Sequence, residues 1–324
     1  MDIAIKLTGI GGVDQLAIFP HEPETPGPNE IRLRHDAIGV NFIDIYHRTG
    51  LYSLPKLPAV LGVEGAGVVE AAGAAVTTLV VGQRIVYAGA PVGAYVSTRL
   101  LPATRAVPLP DEVSSFDAAA SMARGLTAHM LLTRTYAVDA RTTILVHAAA
   151  GGLGTMLCRW AKGLGAIVIG TTSTPEKSAI AIQNGADHVI VGRAADFARE
   201  VTDLTGGRGV DVAYDGIGGE TLRKTLACVR PFGTVASIGQ AGGPIPPIAV
   251  DEIGPRRSLS LARPSVMAYS ADPVLYPIAA SAVLKVMRSG VKSAIGKTYP
   301  LADVAIAQTD LEQGRTTGSS LLLP

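Results

Sequence analysis

The sequence predicts an α/β protein of two domains: a β-rich domain, and a doubly wound parallel sheet covered by helices. Three observations lead there. The 324 residues exceed what one hydrophobic core usually fills. The first third carries short, closely spaced apolar runs separated by Gly and Pro. Near residue 117 the pattern changes to a regular alternation of strand and helix. With 48% hydrophobic and 17% charged residues there is ample material for a large core, and disorder is excluded.

In the first third, Ile31-Arg32-Leu33-Arg34 alternates apolar and polar, as a half-buried strand does. Gly67-Val68-Val69 and Arg84-Ile85-Val86-Tyr87 are further short strands. Pro20, Pro23, Pro26 and Pro28 mark an early loop, and Pro55 and Pro58 another. Closely spaced strands with such turn signals predict a small, partly closed barrel.

An Ala-rich helical stretch then runs from Asp117 through Thr127 to Tyr136. The predicted parallel strands are Ile144–Val146, Ala166–Gly170, Asp187–Val191, Val210–Tyr214 and Thr234–Ile238, with a sixth at Ser258–Leu261. Helices are predicted over Thr155–Leu164, closed by Gly165, and Pro175–Asn184, closed by Gly185. Continuous apolar strands between helices indicate a sheet buried on both faces. The remaining stretch, with a helix around Ala279–Arg288 and an apolar end Ser320–Leu323, is too short to be a domain and is expected to return onto the first.

Between the strand Ile144–Val146 and the following helix stands His147-Ala148-Ala149-Ala150-Gly151-Gly152-Leu153-Gly154. Small residues at this junction have specific uses in a dinucleotide site. Gly151 lets backbone approach a pyrophosphate, Gly154 permits close helix–strand packing, and the helix N-terminus offers N–H groups and a positive dipole. Ala149 stands where the G-x-G-x-x-G pattern has its first glycine. His147 is read as a structural support of the turn.

The end of the second strand bears on the choice of dinucleotide. An NAD site has Asp or Glu about 20 residues on, holding the ribose hydroxyls. Here the segment reads Gly170-Thr171-Thr172-Ser173-Thr174-Pro175-Glu176-Lys177, with no carboxylate at the strand tip. Ser173 and Thr174 can hydrogen-bond a 2′-phosphate and Lys177 can neutralise it, so NADPH is the expected cofactor.

Charge and targeting signals narrow the partners. The 28 basic and 27 acidic residues nearly cancel and no long basic run occurs, which argues against nucleic acid and anionic membranes. No apolar run reaches the length of a membrane span, and the N-terminal residues lack a secretory pattern. Cys158 and Cys228 are too few for a disulfide framework, so a cytoplasmic location is expected.

The chain resembles the zinc-independent quinone oxidoreductases, the zeta-crystallin-like branch of the medium-chain dehydrogenase/reductase superfamily, and is especially similar to bacterial NADPH:quinone oxidoreductases. Gly39 through Tyr46, Arg48-Thr49-Gly50-Leu51-Tyr52, His147 through Gly154, Arg263-Pro264-Ser265 and Gly318 through Leu322 carry the resemblance, which extends over essentially the whole chain. It implies a GroES-like barrel domain for substrate (1–123 and 266–324) and a Rossmann domain for NADPH (124–265), with the active site between them. It further implies that Asn41, Tyr46 and Thr127 lie near the nicotinamide and that Gly151, Gly152 and Leu153 form the pyrophosphate turn. Ser173 and Lys177 are placed on the 2′-phosphate side, and Ile238, Gly239, Arg263 and Ser265 in segments that close over the cofactor. A homodimer joined at the sheet edge near Ser258–Leu261 is implied as well. One departure stands out: close relatives carry a phosphate-binding Tyr where this chain has Gly192, leaving Arg193 as the available substitute.

Zinc-dependent relatives have Cys near Asn41 and His-Glu where this chain has Val63-Glu64. A catalytic zinc needs about three S, N or O protein ligands, which Asn41 and Val63 do not supply. His35, His47 and His129 are scattered and read as core or surface residues. Hydride transfer without a metal requires an electrophilic acceptor, and quinones qualify. Asn41, Tyr46 and Tyr52 are the candidates to line the acceptor pocket, with Tyr46 or Asn41 donating to the developing oxyanion. Two alternatives stay open: reduction of an alkenal or enone double bond, and NADPH binding without turnover in a lens-type or RNA-binding protein.

Overall fold

The computed structural model describes residues 1–324. The chain separates into two compact units, residues 1–126 with 266–324, and residues 127–265. In chain order the first contains β1 (Ile3–Leu7), β2 (Leu16–Pro20), β3 (Glu30–Val40), α1 (Phe42–Arg48), β4 (Ala59–Val60), β5 (Glu64–Ala72), β6 (Arg84–Ala88), β7 (Thr98–Pro102) and β8 (Val107–Pro108). Helix α2 (Ser115–Met130) follows and runs across the division; a single π-helical turn, Leu131–Thr135, continues it. The second unit holds β9 (Thr143–Val146), α3 (Gly152–Gly163), β10 (Ile167–Thr172), α4 (Pro175–Gln183), β11 (His188–Val191), α5 (Phe197–Leu204), β12 (Val210–Asp215), α6 (Gly219–Cys228), β13 (Val229–Ser237), α7 (Val250–Ile253) and β14 (Ser260–Ala262). The chain ends in α8 (Val266–Ala271), α9 (Leu275–Arg288), β15 (Ile295–Pro300), α10 (Val304–Glu312) and β16 (Ser319–Leu323).

In the first unit β3 is the organising strand. One edge pairs with β5, and the other is shared by β7 at its start and β16 at its end. Two irregularities in its register against β5 bend it, as bulges do at barrel corners. A smaller sheet, β2-β1-β4, stands beside this one. Inward residues Ile5, Leu33, Ile38, Leu61, Ile85, Tyr95 and Leu101 form the core. The expected return of the C-terminus takes the form of antiparallel pairing: Ser320 faces Val40 and Leu322 faces Ile38, with Leu321 and Leu322 fully buried.

The second unit is a six-stranded parallel sheet in the order β11-β10-β9-β12-β13-β14. The order reverses beside β9, and in open α/β sheets the crevice outside the strand C-termini at such a point receives ligands. Several predicted strands shift; the fifth begins at Val229 rather than Thr234. The second extends to Thr172, and the sixth begins at Ser260 because Ser258 takes a left-handed backbone (φ 50°) that a strand cannot continue.

Candidate active site and dinucleotide crevice

In the first unit the chain leaves β3 at Val40 and enters α1 through Asn41. The Asn41 backbone N–H donates to Asp44 Oδ2 at 2.8 Å, three residues on, as an N-terminal helix lock. Its side-chain Nδ2 donates to Glu64 Oε2 at 3.0 Å. Glu64 is fully buried at the start of β5, also accepts from the Ala123 N–H, and lies 3.5 Å from Arg124 Nη1. Burial pushes the Glu64 carboxyl up from its ordinary value, against the opposing pull of Arg124 and Asn41. Gly39 is obligatory here: a Cβ would collide with Glu64 Oε2 and lie 2.6 Å from the Ala119 carbonyl oxygen.

Asp44 is likewise fully buried. Its Oδ2 accepts from the Tyr95 hydroxyl at 2.8 Å as well as from Asn41, while Oδ1 is buried with no partner. Burial raises its pKa to about 7, so the neutral acid with its proton on Oδ1 dominates below neutrality.

The aromatic candidates stand on the next turns of the same segment. The rings of Tyr46 and Tyr52 meet edge-on, 5.4 Å apart at 72°, and Phe42 lies 6.3 Å from Tyr46. The Tyr52 N–H donates to the Tyr46 carbonyl, and its own carbonyl oxygen lies 3.2 Å from His47 Nδ1. Asn41, Tyr46 and Tyr52 thus share one segment, with Asn41 and Tyr52 half-buried and Tyr46 nearly covered.

In the second unit the glycine-rich turn joins β9 to α3. Ala148 holds a left-handed conformation (φ 52°), a strained choice for a non-glycine residue. A Cβ on Gly154 would collide with the Ala148 carbonyl oxygen and lie 2.8 Å from Ala149 Cα, so helix and turn touch only through glycine. At Gly151, the N-cap, a Cβ would meet nothing closer than the Ala148 carbonyl oxygen at 3.2 Å. Gly151 offers no capping side chain to the first turn of α3.

At the tip of β10, Ser173 and Lys177 are both half-buried. The Thr174 hydroxyl accepts from the Lys177 N–H at 3.3 Å as the cap of α4, a contact that occupies a lone pair and not its proton. Gly192, beyond β11, has φ 116°, a conformation an L side chain adopts only under strain. The Ile238 N–H donates to the Asp215 carbonyl, and Arg263 Nη1 donates to Ser237 Oγ at 2.7 Å. Gly151, Gly152, Leu153, Ser173, Ile238, Gly239 and Arg263 therefore follow strand C-termini of one sheet or open the helix beyond, while Thr127 lies half-buried on α2 and Ser265 is exposed. His147 does support the turn, through side chains: Nδ1 lies 2.9 Å from Thr171 Oγ1 and Nε2 2.9 Å from Thr225 Oγ1.

Two family models match, the alcohol dehydrogenase GroES-like domain over residues 27–111 and the zinc-binding dehydrogenase over residues 152–273. The chain is 42% identical over 321 residues to the quinone oxidoreductase of Pseudomonas aeruginosa, covering 99% of each. It belongs to the quinone oxidoreductase family of medium-chain dehydrogenases/reductases. A 2-haloacrylate reductase from Burkholderia is 40% identical, over 97% of this chain and 96% of its own. The crystal structure of Escherichia coli quinone oxidoreductase in complex with NADPH superimposes with a TM-score of 0.95 at 38% identity, over 99% of this chain and 100% of its own.

Against this family background, sequence reasoning missed the buried supports Asp44, Glu64, Arg124, Asp215 and Thr225. Asp44 had a local signal, an acid three residues after a helix-capping Asn. Asp215 had one too, an acid two residues before the Ile217 N–H it accepts from; Glu64, Arg124 and Thr225 had none, because key partners of each lie far away along the chain.

Proposed function

We propose that this chain is a zinc-independent NADPH:quinone oxidoreductase. The observation that carries the reading is the Asn41 amide, fixed by a buried carboxylate, on the same segment as the packed rings of Phe42, Tyr46 and Tyr52. Flat aromatic surfaces suit a planar acceptor, and the second N–H of Asn41 suits an oxygen that gains negative charge, with the Tyr46 hydroxyl as the other candidate donor.

The residues of the second unit fit NADPH. The uncapped glycine N-terminus of α3 suits a pyrophosphate, and Ser173 and Lys177 suit a 2′-phosphate. NADPH, when bound, supplies the hydride. The chain's residues position the dinucleotide, line the acceptor site and offer hydrogen-bond donors. Residues 266–324 complete the acceptor unit, since β16 pairs with the strand that ends at Asn41.

Zinc-independence is supported by the donor set. Asn41 is committed to Glu64, Val63 is apolar and buried, and no three His, Cys, Asp or Glu side chains cluster as metal ligands. Both cysteines are buried in the second unit, where burial pushes each thiol up to about 12. A homodimer through β14 is supported by the unpaired edge of that strand and by exposed Leu261, Phe232 and Val250. A cytoplasmic site of action accords with the two unpaired cysteines and with the absence of any helix long and apolar enough to cross a membrane.

The second reading, reduction of an activated double bond, is favoured by the likeness to the 2-haloacrylate reductase. Against an anionic acrylate, Arg124, which shares Glu64 with Asn41, is spent: it donates to the carbonyls of Ala120 and Val40 and faces Glu64. Turnover of NADPH and NADH with 9,10-phenanthrenequinone, 2-alkenals, 2-haloacrylate and simple alcohols separates the readings. We expect quinone reduction with NADPH, unaffected by chelators. Chelator-sensitive alcohol oxidation, or binding of NADPH without turnover of any acceptor, refutes the proposal. Sedimentation as a monomer at micromolar concentration refutes the dimer.

A further inference from the structure

The register of the parallel sheet sets four polar residues in a row. Gly170 and Tyr214 both pair with Val146, so Thr171, His147 and Asp215 stand side by side one step beyond, and Asp215 pairs in turn with Ser237. His147, Thr225 and Asp215 are all buried, and the imidazole packs edge-on against Phe197 at 4.9 Å. Thr225, from α6, approaches the row from the helix side, with Oγ1 2.8 Å from Asp215 Oδ2 and 2.9 Å from the Thr221 carbonyl oxygen. Asp215 Oδ1 accepts from the N–H groups of Ile217 and Gly218, at 2.8 and 2.9 Å.

The direction of these hydrogen bonds follows from proton counting. Thr225 has one hydroxyl proton and faces two groups that only accept, the Asp215 carboxylate and the Thr221 carbonyl. It therefore spends its proton on one of them and must accept from His147, which fixes the imidazole as the Nε2–H tautomer. Nδ1 is then an acceptor, and the Thr171 hydroxyl donates to it. Burial lowers the His147 pKa, which keeps the ring neutral in this role.

We propose that His147 is the positioning residue of the dinucleotide crevice: through the path Thr171–His147–Thr225–Asp215 it locks the turn 215–218 and the glycine-rich turn to the ends of three adjacent strands. The path does not touch substrate; it holds the backbone that does. The Ala149 N–H adds a second tie, to the Thr171 carbonyl, so the start of the turn is registered on β10 by both side chain and backbone. The inference rests on the reading that this crevice takes NADPH, and it adds which buried groups give the crevice its shape.

Two measurements test it. On uniformly ¹⁵N-labelled protein without ligand, assigned with H147F, the imidazole should show Nδ1 in the unprotonated range and Nε2 in the protonated range. The reverse tautomer overturns the proposal. In binding assays, T225V orphans both His147 Nε2–H and Asp215 Oδ2, and should weaken NADPH about tenfold with kcat at saturating NADPH within about threefold. T225S restores the hydroxyl and should recover wild-type affinity. T225V binding NADPH as tightly as wild type, or T225S failing to rescue, overturns the inference while leaving the NADPH reading intact. A wild-type chain that binds no dinucleotide overturns both together. If T225V does not fold, the tautomer of the wild type and the T225S affinity still decide.

Discussion

Replacing Asp44 with Asn tests the electrostatics beneath Asn41. Asp44 is enclosed by Tyr95, Asn41 and the Glu64–Arg124 pair; one carboxyl oxygen accepts two hydrogen bonds and the other has no partner. Its pKa rises from 3.8 to about 7 in the fold, chiefly through burial. Because the folded value is the higher one, the neutral form's stabilisation is complete below the unfolded pKa and is lost as pH rises through about 7. At about 1.4 kcal/mol per pH unit, the full effect is about 4 kcal/mol, of which about 2.6 kcal/mol falls between pH 5 and pH 8. Asn keeps an oxygen for Tyr95 and the Asn41 N–H and does not titrate. Urea unfolding of both proteins at pH 5, 6, 7 and 8, followed by far-ultraviolet circular dichroism, gives the difference curve, in which carboxylates and histidines common to both largely cancel. Wild type should lose about 2–3 kcal/mol relative to Asp44→Asn across that range. A difference that stays flat with pH would mean that Asp44 titrates as an ordinary surface acid, and the reasoning would be refuted.

Three other perturbations probe the site from different sides. Asn41→Ala should lower kcat/KM for a quinone about 100-fold and Tyr46→Phe about tenfold, as expected for loss of donors to a developing oxyanion; if steady-state kinetics of both match wild type, the donor role is wrong. Ser173→Asp should move the ratio of NADPH to NADH efficiency at least about tenfold toward NADH, because the new carboxylate repels a 2′-phosphate and can hold the ribose hydroxyls. An unchanged ratio would remove Ser173 from the phosphate side. Gly39→Ala should cost about 2–3 kcal/mol in urea unfolding and also depress quinone turnover, since its Cβ would displace Glu64 from Asn41; wild-type stability would show that the strand yields there freely.

Much of the fold was legible in the chain because its signals are local. The strand–helix alternation after residue 117, the small residues of the turn 147–154 and the missing carboxylate beside Ser173 are all read within one or two elements. Boundaries failed where backbone conformation overrode composition, as at Ser258. Thr174 also caps α4 by accepting from the Lys177 N–H, a contact that residue type alone does not reveal.

The sequence alone determined that a glycine-rich turn sits between a buried strand and a helix, and that the residues at Asn41 and Val63 are no thiolate–imidazole pair. Those conclusions need only residue type, spacing and periodicity. Only the tertiary structure decided which groups hold the site in shape. Glu64 reaches Asn41 across 23 residues, Gln308 reaches Arg48 across 260, and Thr225 reaches His147 across 78. Burying such polar groups costs free energy that only partners from distant segments offset, and nothing local in a sequence says which segments will meet.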